Sequence, residues 1–217
     1  MKKRLIFVRH GEAEGNVERR FHGHYDSSLT ENGQRQVRLL AERLREVPID
    51  CIYSSDLQRA LGTAMEIAKV KGLDIKLEQD LREINGGRWE DVPWDDLPVV
   101  YSESYQNWLE RPHKLEMPDG ETMVAFQDRL IAAVERIAAN EERENILIAT
   151  HGTAIKVLIC HYKGRDLCDL PELPWHDNAS ITIVDVVDGK YSVEVEGDNS
   201  HLGEHSTLGK QTWWIKE

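Results

Sequence analysis

A short apolar run that ends abruptly on a histidine and a glycine occurs twice in this chain, as LIFVRHG at residues 5–11 and as NILIATHG at residues 145–152. Runs of four or five apolar residues are too short for a helix and suit buried strands. A single strand running into a polar loop would say little, because loops carry most polar residues. The recurrence predicts two core strands that each deliver a histidine at the same kind of turn.

The sequence around them alternates in period. LTENGQRQVRLLAERLREV sets Val37, Leu40, Ala41, Leu44 and Val47 on one helical face, with Thr30 as N-cap and Pro48 beyond the end. IDCIYSS reads as a strand, and DLQRALGTAMEIAKVKG as a second amphipathic helix stopped by Gly72. IKLEQDLREI alternates Ile75 and Leu77 with charged neighbours and reads as a further strand leading to Glu83. From about residue 86 to 120 the periodicity breaks, with Pro93, Pro98, Pro112 and Pro118 punctuating a stretch that holds Trp89, Trp94 and Trp108. This predicts an inserted cap of short helices, with Trp89 and Trp94 near the mouth of any site. Helical spacing returns at Met123, Phe126, Leu130, Val134 and Ile137, and two β-rich runs flank Asp188-Gly189, a hairpin signal. Strands alternating with helices predict an open α/β sheet, parallel in its core and closed at one edge by an antiparallel hairpin.

Composition narrows the partners. The chain has 217 residues, 40% hydrophobic and 30% charged, which suits one soluble globular domain over residues 1–217 with an excursion at the cap. Its 27 Lys and Arg against 39 Asp and Glu leave a net charge of −12, so nucleic acid is not an expected partner. No run approaches membrane-spanning length, and four apolar residues before Arg9 are too few for a signal peptide core. The three cysteines, Cys51, Cys160 and Cys168, form no zinc or CxxC pattern, and a reducing cytoplasm is the expected compartment. His22 and His24, and His201 and His205, lack partners at ligand spacing, so no metal is expected.

In open α/β sheets ligands bind beyond the carboxyl ends of the strands. Arg9 and His10, Arg59, Glu83 and His151 all follow predicted strands and fall at that rim. Two arginines and two histidines within an acidic chain suit a phosphate dianion: guanidinium forks bind its oxygens, and helix N-termini add backbone donors. A neutral imidazole can attack phosphorus, with flanking arginine charge disfavouring its protonated form, and a carboxylic acid can protonate the leaving alkoxide. Taken singly the residues have plainer readings, Glu83 as a surface carboxylate paired with Arg82 or Arg88 and Asn16 as a turn residue.

RHGEAEGN, SDLQRALGTA, LREINGGRWED and ATHG resemble, in order and spacing, the motifs of the histidine phosphatase superfamily, also called the phosphoglycerate mutase-like family, over nearly the whole chain. The resemblance implies a three-layer α/β/α sandwich with a mostly parallel central sheet. It further implies that His10 is transiently phosphorylated, that Arg9, Arg59 and His151 hold phosphate oxygens, that Asn16 assists, that Glu83 donates the proton, and that no metal takes part. The turns at Gly23 and Gly152 border the phosphate or substrate in this reading, and no cofactor is expected. Ala13 stands where the family usually has Ser or Thr, and Asp91 where it has Gly.

The compact segment between Glu83 and Glu121 is similar to the phosphatase branch, which includes α-ribazole phosphatase-like and broad-specificity enzymes. The expected activity is hydrolysis of a small phosphate ester. Two alternatives stay open: a 2,3-bisphosphoglycerate-dependent phosphoglycerate mutase, and a phosphate-binding member without turnover. The terminal hairpin offers an edge that a second copy can pair with in a homo-oligomer or that the fold can cover.

Overall fold

The computed structural model describes residues 2–208. Its strands are β1 (Lys2–Arg9), β2 (Cys51–Ser54), β3 (Ile75–Leu77), β4 (Asn145–Thr150), β5 (Ile181–Val187) and β6 (Lys190–Asp198), in one sheet of order β3-β2-β4-β1-β5-β6. The pairs β2–β3, β2–β4 and β1–β4 are parallel, whereas β1–β5 and β5–β6 are antiparallel. The β5–β6 turn is Asp188-Gly189, both at positive φ (50° and 77°), as a two-residue hairpin on twisted strands requires.

Strand periodicity sends alternate residues of β1 to opposite faces. Ile6 and Val8 pack with Leu40, Ala41, Ala64 and Ile67 from α2 (Glu31–Arg43) and α3 (Gln58–Lys71). Leu5 and Phe7 pack with Phe126, Leu130, Ala154 and Leu158 from α6 (Met123–Asn140) and α7 (Gly152–Tyr162). Helices therefore cover both faces of a mostly parallel sheet, and the three-layer sandwich is the observed architecture.

Thr30 caps α2, its side chain accepting from Gly33 N at 2.9 Å. The helix stops at Arg43, short of Pro48, because the amides of Arg45 and Val47 fold back onto the carbonyls of Glu42 and Leu44. Val47 consequently reaches its core from a turn and not from the helical face. At β3 the alternation does not mark a core face: the strand is the sheet's edge and Leu77 is 57% exposed.

Between residues 86 and 120 lie α4 (Leu97–Val100), α5 (Ser102–Glu110) and short 3-10 turns at Gly87–Trp89 and Pro112–Lys114. A further short helix, α1 (Glu14–Glu18), precedes them in the chain. Trp89, expected near a mouth, is instead fully buried and shares a core with Leu97, Leu115 and Phe126. A large indole with no exposure is worth more as packing than as a rim residue.

Candidate active site

Arg9 is in register with Thr150 across the β1–β4 pair, so the residues that follow the two strands are neighbours. His10 N donates to the Thr150 carbonyl at 3.0 Å, and the rings of His10 and His151 meet edge to face with centroids 5.3 Å apart. Arg59, in the first turn of α3, and Glu83, beyond β3, converge on the same place. Arg9, His10, Asn16, Arg59, Glu83 and Gly152 line one cavity of about 290 Å³. His151 and Gly23 lie outside the lining: the His151 ring packs edge to face on His10, and the Gly23 carbonyl accepts from Arg59 Nη2 at 2.7 Å.

The His10 Nδ1 lies 2.7 Å from the Gly11 carbonyl, which can only accept. In the neutral ring Nδ1 therefore carries the hydrogen, and Nε2 keeps its lone pair. Burial holds His10 well below the ordinary imidazole range, with Arg59 and then Arg9 adding to the effect. Desolvation is thus the first cause of its neutrality, and the arginine charge on which the sequence argument relied comes second. His151 is lowered in the same way, by burial and then by Arg59 and His10. Its Nε2 contacts Ser55 Oγ at 2.9 Å, while its buried Nδ1 makes no hydrogen bond within the described protein.

Glu83 is neither exposed nor paired with Arg82 or Arg88, which bind Asp56 and Asp119. Its two oxygens accept from Ile84 N and Thr153 N, both at 2.9 Å. Burial pushes its carboxyl group upward, and those two amides pull the other way without cancelling the rise. Arg59, fully buried, falls to about 10 and stays cationic at neutral pH. Gly152 leaves room for Arg9: a Cβ there would stand 3.0 Å from its Nε.

Several residues of this arrangement carried no signal in the sequence. Asn178, 168 positions from His10, donates to its carbonyl at 3.1 Å and also contacts Asn16 Oδ1. Thr63 accepts from Gly11 N and donates to the Arg59 carbonyl, tying the His10 loop to α3. Glu90 accepts from the amides of Gly23, His24, Tyr25 and Gly86. The carbonyls of His22, Gly23 and Tyr25 in turn hold the Arg59 guanidinium. Glu90 was legible only as part of the Trp-Glu-Asp run, and nothing local announces which loop it gathers.

His22 and His24 do not face a shared ligand. His22 contacts Ser27 and Asp91, and His24 Nε2 reaches the Glu83 carbonyl at 3.0 Å. Among the described residues no group of three or more His, Cys, Asp or Glu could hold a metal ion. Two buried guanidinium groups, one imidazole backed by edge contact with a second, and a carboxyl group of raised pKa at one cavity suit a tetrahedral oxyanion.

The model of the histidine phosphatase superfamily, branch 1, matches residues 5–199. The chain belongs to this superfamily. It is 31% identical over 204 residues to phosphoserine phosphatase 1 of Hydrogenobacter thermophilus, covering 93% of this chain and 95% of that one. It is 34% identical over 208 residues to phosphoglycerate mutase-like protein 4 of Arabidopsis thaliana, covering 94% and 89%. The structure of Bacillus stearothermophilus YhfR superposes with a TM-score of 0.89 at 36% identity, covering 92% of this chain and 99% of that one.

The departures of this histidine phosphatase from its family pattern have local consequences. Asp91 takes φ 61°, in the region where the family's glycine is unstrained and where Asp is among the better tolerated substitutes. Its carboxylate reaches His22 Nε2 at 3.4 Å. Ala13 cannot cap α1 with a side chain, and the Asn16 side chain accepts from its amide at 2.9 Å instead. Among the described residues no helix is long and apolar enough to cross a membrane.

Proposed function

We propose that this chain is a phosphomonoesterase that hydrolyses a small phosphorylated metabolite through a covalent phosphohistidine on His10. One observation carries the reading: an imidazole kept neutral with Nε2 unprotonated shares a buried cavity with two guanidinium groups and a carboxyl group of raised pKa. In the first step Nε2 of His10 attacks phosphorus, the P–O bond to the alcohol breaks, and the Glu83 carboxyl proton passes to the leaving oxygen. Arg9 and Arg59 bind the phosphoryl oxygens as charge develops there, and His151 joins them through Nδ1, the ring nitrogen that makes no hydrogen bond within the described protein. In the second step the Glu83 carboxylate takes a proton from water, whose oxygen attacks phosphorus as the P–N bond breaks. Phosphate leaves and both groups return to their starting states.

Asn16 and the turn at Gly152 border the phosphate in this scheme, and Gly23 acts through Arg59. The segment from 86 to 120 serves as the cap that shapes the alcohol side of the cavity. A cytoplasmic setting rests on cysteine usage, three residues that are all free.

The test separates hydrolysis from transfer. Turnover in ¹⁸O-labelled water is expected to give inorganic phosphate carrying one new ¹⁸O, with no requirement for 2,3-bisphosphoglycerate. Efficient interconversion of 2- and 3-phosphoglycerate with hydrolysis as a minor leak assigns the mutase alternative instead. Phosphate release no greater than that of a His10→Ala control assigns binding without turnover.

Glu90 enters this scheme as a positioning residue, because it gathers the loop whose carbonyls hold Arg59. Glu90→Gln retains one acceptor oxygen and presents a donor where the second stood. Inhibition by inorganic phosphate is expected to weaken by roughly tenfold, the scale of one charge-assisted hydrogen bond. A lower melting temperature with unchanged phosphate inhibition would show that Glu90 only supports the fold.

A further inference from the structure

Ser55, the residue that follows β2, lies outside the cavity lining, and we infer that it is a positioning residue for His151: its hydroxyl donates to Nε2 and so places the ring hydrogen on Nδ1, where it is offered to a phosphoryl oxygen. The state of the ring follows from the hydrogen bonds alone, and its use rests on the phosphohistidine reading. Sheet register brings the two residues together across 96 positions of chain. Ser54 pairs with Ala149 between β2 and β4, Ser55 N donates to the Ala149 carbonyl at 3.0 Å, and His151 follows the end of β4.

A hydroxyl hydrogen with no access to water needs an acceptor. Ser55 is fully buried, and its Oγ has two contacts among the described residues: the amide of Leu57 at 3.4 Å and Nε2 of His151 at 2.9 Å. The amide can only donate, so Nε2 is the acceptor that remains. An imidazole whose Nε2 accepts carries its hydrogen on Nδ1. The opposite tautomer, like the imidazolium, would point Nε2–H at Oγ and leave the serine hydrogen without an acceptor. Ser54 cannot serve instead, because its hydroxyl, equally buried, donates to the Ser55 carbonyl at 2.7 Å.

The two histidines thus hold the same tautomer by opposite means. At His10 an acceptor, the Gly11 carbonyl at 2.7 Å, occupies Nδ1–H and leaves Nε2 to attack phosphorus. At His151 a donor occupies Nε2 and leaves Nδ1–H without a partner in the described protein. Burial, then Arg59 and His10, hold the His151 ring well below the ordinary imidazole range, so it meets the phosphoryl group as a neutral donor. A buried N–H with no acceptor is costly, and a phosphoryl oxygen removes that cost when it arrives. With the hydrogen on Nε2, the lone pair of Nδ1 would face the same oxygen and repel it.

¹⁵N NMR of the protein labelled at histidine reads the tautomer directly, with His151 assigned by the signals lost in His151→Ala. At neutral pH the parent is expected to carry the His151 hydrogen on Nδ1. A hydrogen on Nε2, or an imidazolium, overturns the inference without any further variant having to fold. In Ser55→Ala no hydrogen bond among the described residues distinguishes the two ring nitrogens, so the Nε2–H form should appear, and the affinity for inorganic phosphate, measured by calorimetry, should fall by roughly tenfold. A tautomer or an affinity that does not move in this variant also overturns it.

A double-mutant cycle separates positioning from support of the fold. If Ser55 acts through the ring, Ser55→Ala should cost little further phosphate affinity in a His151→Ala background. An undiminished loss there would show that Ser55 acts on the fold and would sink the inference. None of these readouts needs turnover. If they come out as expected while acid quench traps no phosphoenzyme, the phosphohistidine reading fails and the role of Ser55 stands.

Discussion

His10→Ala is expected to remove the acid-labile phosphoenzyme and to lower kcat/KM for every phosphate ester by roughly 10⁴- to 10⁶-fold, the usual consequence of losing a covalent nucleophile. The lower figure already corresponds to about 5.4 kcal/mol of lost transition-state stabilisation. His151 cannot take over the role, since it does not line the cavity and its Nε2 is engaged by Ser55 Oγ. The fold should survive, because only the His10 ring leaves while its backbone stays held by Thr150, Ala179 and Asn178. Rapid acid quench with ³²P-labelled ester, alongside circular dichroism of the variant, checks both statements. Residual activity within tenfold of the parent, or an undiminished phosphoenzyme, would move the nucleophile elsewhere.

Glu83→Gln has the second-largest expected effect, and its size should depend on the alcohol. Esters of poorly acidic alcohols need the proton and are expected to slow by roughly 10²- to 10⁴-fold, whereas nitrophenyl esters, which leave unaided, should lose much less. The pH dependence follows from the two displaced groups. The proposed reaction needs His10 neutral, which holds above its pKa, and Glu83 protonated, which holds below its pKa. Burial lowers the first from 6.5 and raises the second from 4.5, so the shifts move the two values toward each other and enlarge the fraction of enzyme in the working state. The parent should show a bell whose acid limb belongs to His10 and whose alkaline limb belongs to Glu83. Glutamine cannot titrate, so the variant should keep the acid limb and lose the alkaline one. Equal losses on both ester classes, or an alkaline limb that persists in the variant, would take the acid role from Glu83.

Both substitutions act on groups whose chemistry is set by burial more than by neighbours. Glu83 accepts two backbone amides, an arrangement that by itself favours the charged carboxylate. Its pKa rises all the same because the carboxyl group is buried. Phe21, Trp94 and Trp108, which line the same cavity, pack against one another with ring centres 5.4 to 5.8 Å apart.

What the sequence determined by itself was periodic and local. The alternation in β1 that divides Leu5 and Phe7 from Ile6 and Val8, the apolar faces of α2, α3 and α6, the Thr30 cap, and the Asp188-Gly189 turn all lie within a few residues of the signal that announced them. Those elements in that order specify a mostly parallel sheet, and a parallel sheet gathers the residues that follow its strands, so Arg9, His10, Arg59, Glu83 and His151 were legible as a group. Where local logic erred, a distant segment had intervened. Trp89, expected near a mouth, was drawn inward by a core shared with α6.

Only the tertiary structure decided how the site is held and what its open side resembles. Asn178 meets His10, Thr63 meets Gly11, and Glu90 gathers the loop that grips Arg59, each through a hydrogen bond between segments far apart in the chain. A lone Asn, Thr or Glu advertises no partner, because a hydrogen bond has no period and its acceptor is chosen by whichever backbone the fold brings within about 3 Å. The aromatic rings at the cavity are the same case: Trp108 comes from α5 and Phe21 and Trp94 from two loops, and only their packing brings them together.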